Sequence, residues 1–211
     1  MRSFRHWTVK YVISRIGVFY YEATKPDHPW LTRSANNILD SYLTKSDVGL
    51  EFGSGRSTVW FAKHIAHLTS VEHDESWGVI VRQLLQKTKC TNVEYHLLST
   101  EAKDNEETNS PYVSVIDTFD DVSLDFCLVD GLQREFCALR VLEKIRPGGL
   151  LVIDNVNWFL CSDSNSTNSR SFADGPDGLI WKEVEDRLSD WRRIWTTSGV
   201  SDTAIFIKPC I

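Results

Sequence analysis

Two groups of residues have types and spacings that can do chemistry. The first is Glu51-Phe52-Gly53-Ser54-Gly55-Arg56-Ser57-Thr58, which ends one apolar run and opens an amphipathic stretch. Glycines at a strand-to-helix turn let the backbone bend tightly and approach a ligand closely. The next apolar run ends in Glu72, about 20 residues on, where a carboxylate can accept both ribose hydroxyls of an adenosine-containing ligand. The plain alternative is a tight turn with no ligand. The second group is Asp130, Asp154 and Asn155, each just past an apolar run. Two carboxylates and an amide oxygen suit a hard divalent cation such as Mg2+. Alternatively, Asp130 caps its loop and Asp154-Asn155 make turn hydrogen bonds.

The elements that must position these groups follow from periodicity. Short apolar runs at 48–52, 68–72, 93–98, 124–129 and 150–153 alternate with stretches of helical spacing at 58–67, 76–87 and 133–145. Continuous apolar strands alternating with helices predict a parallel sheet covered on both faces. A further helix is expected over about 179–188, then β-rich runs at 191–197 and 203–208. The gap between those two is too short for a parallel crossover, so they form an antiparallel hairpin. Residues 1–47 form an N-terminal helical extension: Phe4, Trp7 and Tyr11, then Ala35, Ile38, Leu39, Tyr42 and Leu43, recur at helical spacing around a break at Pro26 and Pro29. The remaining domain is 48–211.

Charge separates the nucleotide candidates. A nicotinamide or flavin turn wants glycine where Thr58 stands, and sets a pyrophosphate beside Glu51. S-adenosylmethionine has no phosphate and carries a cationic sulfonium and amino group, which Glu51 suits. With these residues in place, the chain resembles the class I S-adenosylmethionine-dependent methyltransferases. Glu51-x-Gly53-x-Gly55 is similar to their first motif, although Ser57 stands where many members have a third glycine. Thr69-Ser70-Val71-Glu72-His73-Asp74 resembles the second, and Leu124-Asp125-Phe126-Cys127-Leu128-Val129-Asp130-Gly131 the fourth. Arg146-Pro147-Gly148-Gly149-Leu150-Leu151-Val152-Ile153-Asp154 resembles the turn and strand that follow. The resemblance implies an α/β, Rossmann-like seven-stranded sheet, mostly parallel, with a C-terminal antiparallel hairpin and helices on both faces. It also implies roles. Gly53, Ser54 and Gly55 lie under the methionine part of the cofactor, Glu51 beside its amino group, and Asp130 nearby. Glu72 holds the ribose. His73 packs on the adenine or is a solvated loop residue, and Ser99 with Thr100 reaches the adenine edge.

The Asp130…Asp154-Asn155 pattern is similar to the metal ligands of small-molecule O-methyltransferases of the catechol and caffeoyl-CoA type. There a metal lowers the pKa of a coordinated hydroxyl and aims its oxygen at the methyl. Those enzymes carry a basic lysine three residues after the fourth-motif aspartate, where this chain has Gln133 and then Arg134. Arginine is a poor base but can clamp an acidic substrate. Either the metal alone activates the hydroxyl, or Asp130 or a histidine takes the proton, or the metal is absent.

Composition bounds the rest. The 211 residues, 42% hydrophobic and 25% charged, fit a globular chain. A net charge of −6 argues against a nucleic-acid partner. Asp154-Asn155-Val156-Asn157 also lacks the prolines of amino-methylating nucleic-acid enzymes. Five cysteines without a Cys-x-x-Cys pair fit a reduced, cytoplasmic setting, and no 18-residue apolar run predicts a membrane span. Ser162 to Ser171 is either a closing lid or an insertion. The acidic residues Glu101, Asp104, Glu106 and Glu107 read as a solvated loop. The extension covers substrate, makes a homodimer contact or rests on a membrane surface. The expected activity is methyl transfer to a small-molecule hydroxyl. An NAD(P)-dependent oxidoreductase and a non-catalytic S-adenosylmethionine-binding protein are the rivals.

Overall fold

The computed structural model describes residues 8–101 and 110–210. Strands β1 (Val48–Phe52), β2 (His67–Glu72), β3 (Val93–Leu97), β4 (Leu124–Val129), β5 (Ile145–Asp154), β6 (Arg192–Thr197) and β7 (Asp202–Ile207) form one seven-stranded sheet in the order β3-β2-β1-β4-β5-β7-β6. The first five are parallel, and β7 runs antiparallel to both β5 and β6. So β7 alone is reversed, and the mostly parallel sheet with its terminal hairpin is as the sequence predicts. The chain winds outward from β1 to β3, then returns to β4 on the other side of β1. The carboxyl ends of β1 and β4 therefore flank the crevice where open α/β sheets bind ligands.

Alternation along each central strand divides two cores. Leu50, Phe52, Cys127, Val129, Leu151 and Ile153 face one side, under α6 (Arg134–Val141) and α7 (Leu179–Arg187). Leu68, Phe126, Leu128, Leu150 and Val152 face the other, under α2 (Arg33–Tyr42) and α3 (Arg56–Ala62). Helix α4 (Glu75–Thr88) buries Gly78 and Val81, and Asp74 caps it by accepting from the Trp77 N–H at 2.9 Å.

Some expected boundaries move. The fifth strand begins at Ile145, which pairs with Leu124 ahead of a register shift that Arg146 to Gly149 span before Leu150 pairs with Phe126. Gly148 takes φ +78 there, a conformation that favours glycine. The loop before β4 contains a short helix, α5 (Pro111–Ser114), with Ser110 as N-cap and Tyr112 and Val113 fully buried. Ser110-Pro111 was the available signal, since proline suits a first helical position. The Ser162 to Ser171 tract is anchored to its surroundings: Asn157 Nδ2 donates to Thr167 O at 2.8 Å, and Ser166 Oγ to Asp202 Oδ1 at 2.6 Å.

The extension forms α1 (Val9–Thr24) and α2 on either side of the two prolines. Helix α2 buries Ala35, Asn36 and Leu39, whereas α1 buries nothing and exposes Val9, Ile13, Ile16, Phe19 and Tyr20. Phe4 and Trp7 lie outside the described residues, as do Asp104, Glu106 and Glu107.

Candidate functional site

The turn after β1 and the acid that ends β2 meet directly. Ser54 donates both its backbone N–H (3.2 Å) and its hydroxyl (3.1 Å) to Glu72 Oε2. Glu72 Oε1 accepts from the backbone N–H groups of His73 (2.8 Å) and Asp74 (2.9 Å). Four donors on one buried carboxylate fix its position, and they also fix the Gly53–Gly55 turn. Trp77 Nε1 adds a bond to Ser54 O at 2.8 Å. His73 Nδ1 lies 2.9 Å from Glu72 Oε1, and its ring stands edge-on to Tyr112. The half-buried histidine thus sits at the rim of the crevice.

Glycine matters at two of these positions because backbones touch. Gly53 has φ +90, and a Cβ there would come within 2.8 Å of the Gly131 backbone. A Cβ on Gly131 would lie 1.9 Å from the Tyr112 hydroxyl. The loops after β1 and β4 are pressed together, with Asp130 N donating to Phe52 O at 2.9 Å. Gly55 differs: the nearest atom to a Cβ there is Trp77 at 3.8 Å. The fold alone does not demand this glycine.

Glu51 is fully buried beneath the turn. Its Oε2 accepts from Thr58 Oγ1 (2.6 Å) and Ser70 Oγ (2.7 Å), while Oε1 has no hydrogen-bond partner. Burial pushes its pKa up to about 7, against the pull of the Ser57, Thr58 and Ser70 hydroxyls. A buried carboxylate with an unused acceptor fits a cationic group. The amino group of S-adenosylmethionine is such a group, so the residues present fit that cofactor.

On the other side of the crevice, Asp130, Asp154 and Asn155 are drawn together around a side chain. Arg134, at the start of α6, donates from Nη2 to Asp130 Oδ1 (3.0 Å) and Asp130 O (2.7 Å). Its Nη1 donates to Asp154 O (2.6 Å) and Asn155 Oδ1 (3.3 Å), and Nε to Gly131 O (2.8 Å). A guanidinium has five N–H groups, and each has an acceptor here. The expected clamp on an acidic substrate would need donors that Arg134 has already committed. Asp154 Oδ1 accepts from Thr203 Oγ1 at 2.6 Å. Burial raises the pKa of both carboxylates; Arg134 pulls Asp130 back, and the charge of Asp130 raises Asp154 further.

Gln133, three residues after Asp130, has a structural task. Gln133 Oε1 accepts from Ser110 Oγ at 2.6 Å, and its Nε2 donates to Thr100 O at 3.2 Å. It ties the segment after β3, which holds Ser99 and Thr100, to the turn after β4. Ser99 Oγ accepts from the Glu101 N–H at 3.0 Å. Among the described residues, no group of three His, Cys, Asp or Glu side chains could hold a metal. As placed, the Asp130, Asp154 and Asn155 set does not fit Mg2+, because two of its oxygens hold a guanidinium.

A cavity of about 810 Å³ opens between α1, α2 and the β6–β7 turn, lined by Tyr21, His28, Trp30, Thr32, Thr197 and Ser201 among others. The signal for it was absent from the sequence, since its walls come from distant segments. Thr32 N donates to Thr203 Oγ1 at 3.1 Å, so Thr32 is two hydrogen bonds from Asp154. Trp30 is covered by the Arg56 guanidinium, 4.8 Å from its ring centre.

Comparison with known proteins agrees with this plan. A family described as a methyltransferase domain matches residues 50–156, from β1 through the turn after β5. No curated protein matches the chain. A methyltransferase-like protein from Silicibacter pomeroyi is 24% identical, with a TM-score of 0.55 over 87% of this chain and 90% of its own. The O-methyltransferase TomG from Streptomyces achromogenes, solved with S-adenosylmethionine, is 18% identical, with a TM-score of 0.57 over 90% and 86%. An rRNA methylase from Streptococcus thermophilus is 10% identical, with a TM-score of 0.56 over 84% and 97%. At these identities the likeness is one of fold, across relatives of different acceptors. The matched segment is just over half of the sequence, and the chain belongs to the methyltransferase-domain family, on the class I S-adenosylmethionine-dependent methyltransferase fold.

Proposed function

We propose that this protein transfers the methyl group of S-adenosylmethionine to a hydroxyl oxygen of a small molecule in the cytoplasm. The observation that carries the reading is the partnerless, buried Oε1 of Glu51, beneath a turn that is itself fastened to Glu72. When bound, the cofactor supplies an electrophilic methyl on a sulfonium. Glu51 meets the amino group. Glu72 receives the ribose hydroxyls as the Ser54 hydroxyl turns aside, and His73 covers the base from the rim.

A small acceptor is supported by the 810 Å³ cavity, within the ordinary range for small-molecule sites. The net charge of −6 disfavours a polyanionic acceptor. A hydroxyl needs a proton acceptor, and Asp130 supplies one: Arg134 holds Oδ1 and leaves Oδ2 outside that ion pair. Gln133, engaged with Ser110 and Thr100, leaves this task to the carboxylate. All five cysteines are free, in keeping with a reducing compartment.

Calorimetry with S-adenosylhomocysteine tests the cofactor site. Glu72→Gln keeps one acceptor oxygen but loses the charge, and should weaken binding about tenfold with an unchanged circular dichroism spectrum. Equal affinities would remove the ribose assignment. For the acceptor, labelled methyl should pass to members of a hydroxyl-bearing small-molecule panel and not to RNA; transfer to RNA alone would overturn the acceptor class.

A further inference from the structure

The cation in the acceptor site is part of the chain. The end of β4, the end of β5 and the start of α6 aim three groups of oxygens at one point, and the Arg134 guanidinium fills it. Its Nη2 is 3.0 Å from Asp130 Oδ1 and its Nη1 is 3.3 Å from Asn155 Oδ1. The carbonyls of Gly131, Asp130 and Asp154 close around it at 2.6 to 2.8 Å. The Arg134 side chain is 14% exposed, so this is a desolvated, fully bonded ion and not a surface contact. A divalent ion held by Asp130 Oδ1 and Asn155 Oδ1 would have to take both from the guanidinium. It would then sit beside a fixed positive charge, where like charges repel strongly at low effective dielectric. Displacing Arg134 would also leave five acceptors, most of them partly buried, without their donor, a costly exchange.

We propose that Arg134 is a built-in replacement for a divalent metal at the Asp130, Asp154 and Asn155 site. It pairs with the Asp130 carboxylate and ties the β4 and β5 ends together through the Asp130 and Asp154 carbonyls, so that no metal enters. The inference rests on the reading of this rim as the acceptor site, and it narrows that reading. Without an open coordination position the acceptor is not held by chelation, so two adjacent oxygens are no requirement. Arg134, with every N–H committed, is a positioning residue and not a catalytic one.

Mn2+ titration followed by electron paramagnetic resonance tests this on the full chain with S-adenosylhomocysteine present. Wild-type protein should leave the spectrum that of the free aqueous ion into the millimolar range. Arg134→Ala should gain one saturable Mn2+ site per chain, and adding Asp154→Asn should abolish it. Saturable binding to wild type that Asp154→Asn removes would overturn the proposal. So would a folded Arg134→Ala that binds no Mn2+, because the guanidinium would then not stand in a cation site. Arg134→Gln, which retains a polar side chain at the helix start, serves the same arm if the alanine variant does not fold. Calorimetry on the same wild-type sample keeps the two readings apart. Loss of S-adenosylhomocysteine binding there would defeat the proposed function, while the Mn2+ spectra still decide the site's cation.

Discussion

Glu51→Gln is expected to stabilise the ligand-free protein at pH 8 and to loosen its hold on S-adenosylhomocysteine. Burial raises the Glu51 pKa from the ordinary 4.5 to about 7. Between those values the folded protein binds more protons than the unfolded chain, so stability falls as pH rises through the window. Above it, the full cost of the buried charge is present, about 3 kcal/mol for a shift of this size. Glutamine carries no such cost. Its oxygen can still accept from Thr58 and Ser70, whose hydroxyls lie 2.6 and 2.7 Å from Glu51 Oε2. Its amide group would point two donors where Oε1 now has no partner, which offsets part of the gain. A net stabilisation of about 1–2 kcal/mol at pH 8 is expected, shrinking towards pH 5. Affinity should move the other way, since losing a charge-assisted hydrogen bond in a buried site costs about 10- to 100-fold. Urea unfolding at the two pH values and calorimetry read both effects. An unchanged affinity would mean that Glu51 does not face the amino group.

That opposition explains which parts of the molecule could be read from residues alone. The strands were legible because a parallel sheet buried on both faces demands continuous apolar runs, and β1, β2 and β4 are almost wholly buried. The glycine turn and its spaced acid were legible for the same kind of reason: both are local and periodic. The pairing of Ser54 with Glu72 follows once β1 lies beside β2 in register, Phe52 against Val71. What surrounds Asp130 was not legible. The types Asp, Asp and Asn say only that oxygens converge, and a divalent ion or a guanidinium satisfies them equally. Arg134 is placed by the left-handed turn at Gln133, φ 47, and by a neighbour 20 positions away on β5, and neither leaves a pattern in the sequence. The cavity walls likewise come from α1, α2 and the β6–β7 turn, which meet only in three dimensions.

The glycines of the crevice should separate into two kinds under the same substitution. Gly131→Ala would drive a methyl to within 1.9 Å of the Tyr112 hydroxyl and 2.9 Å of Gly53 N. Neither neighbour can yield easily. Tyr112 is fully buried, with its ring against Phe52 at 5.4 Å, and Gly53 is backbone already held by a 2.9 Å bond from its N–H to Val71 O. The β1 and β4 ends must part, at a cost of about 3 kcal/mol, which lowers Tm by about 10 °C in a chain of this length. S-adenosylhomocysteine affinity should fall with it, because Asp130 moves with the loop. Gly55→Ala meets only Trp77, at an ordinary contact distance of 3.8 Å, and should leave Tm within about 2 °C. Its affinity for S-adenosylhomocysteine should nevertheless drop at least about tenfold, if the bare backbone at Gly55 exists to let the ligand approach closely. Thermal melts with and without ligand compare the pair directly. A Gly55→Ala protein that melts early yet binds normally would mean the glycine serves the turn, and the approach of a ligand would need another explanation.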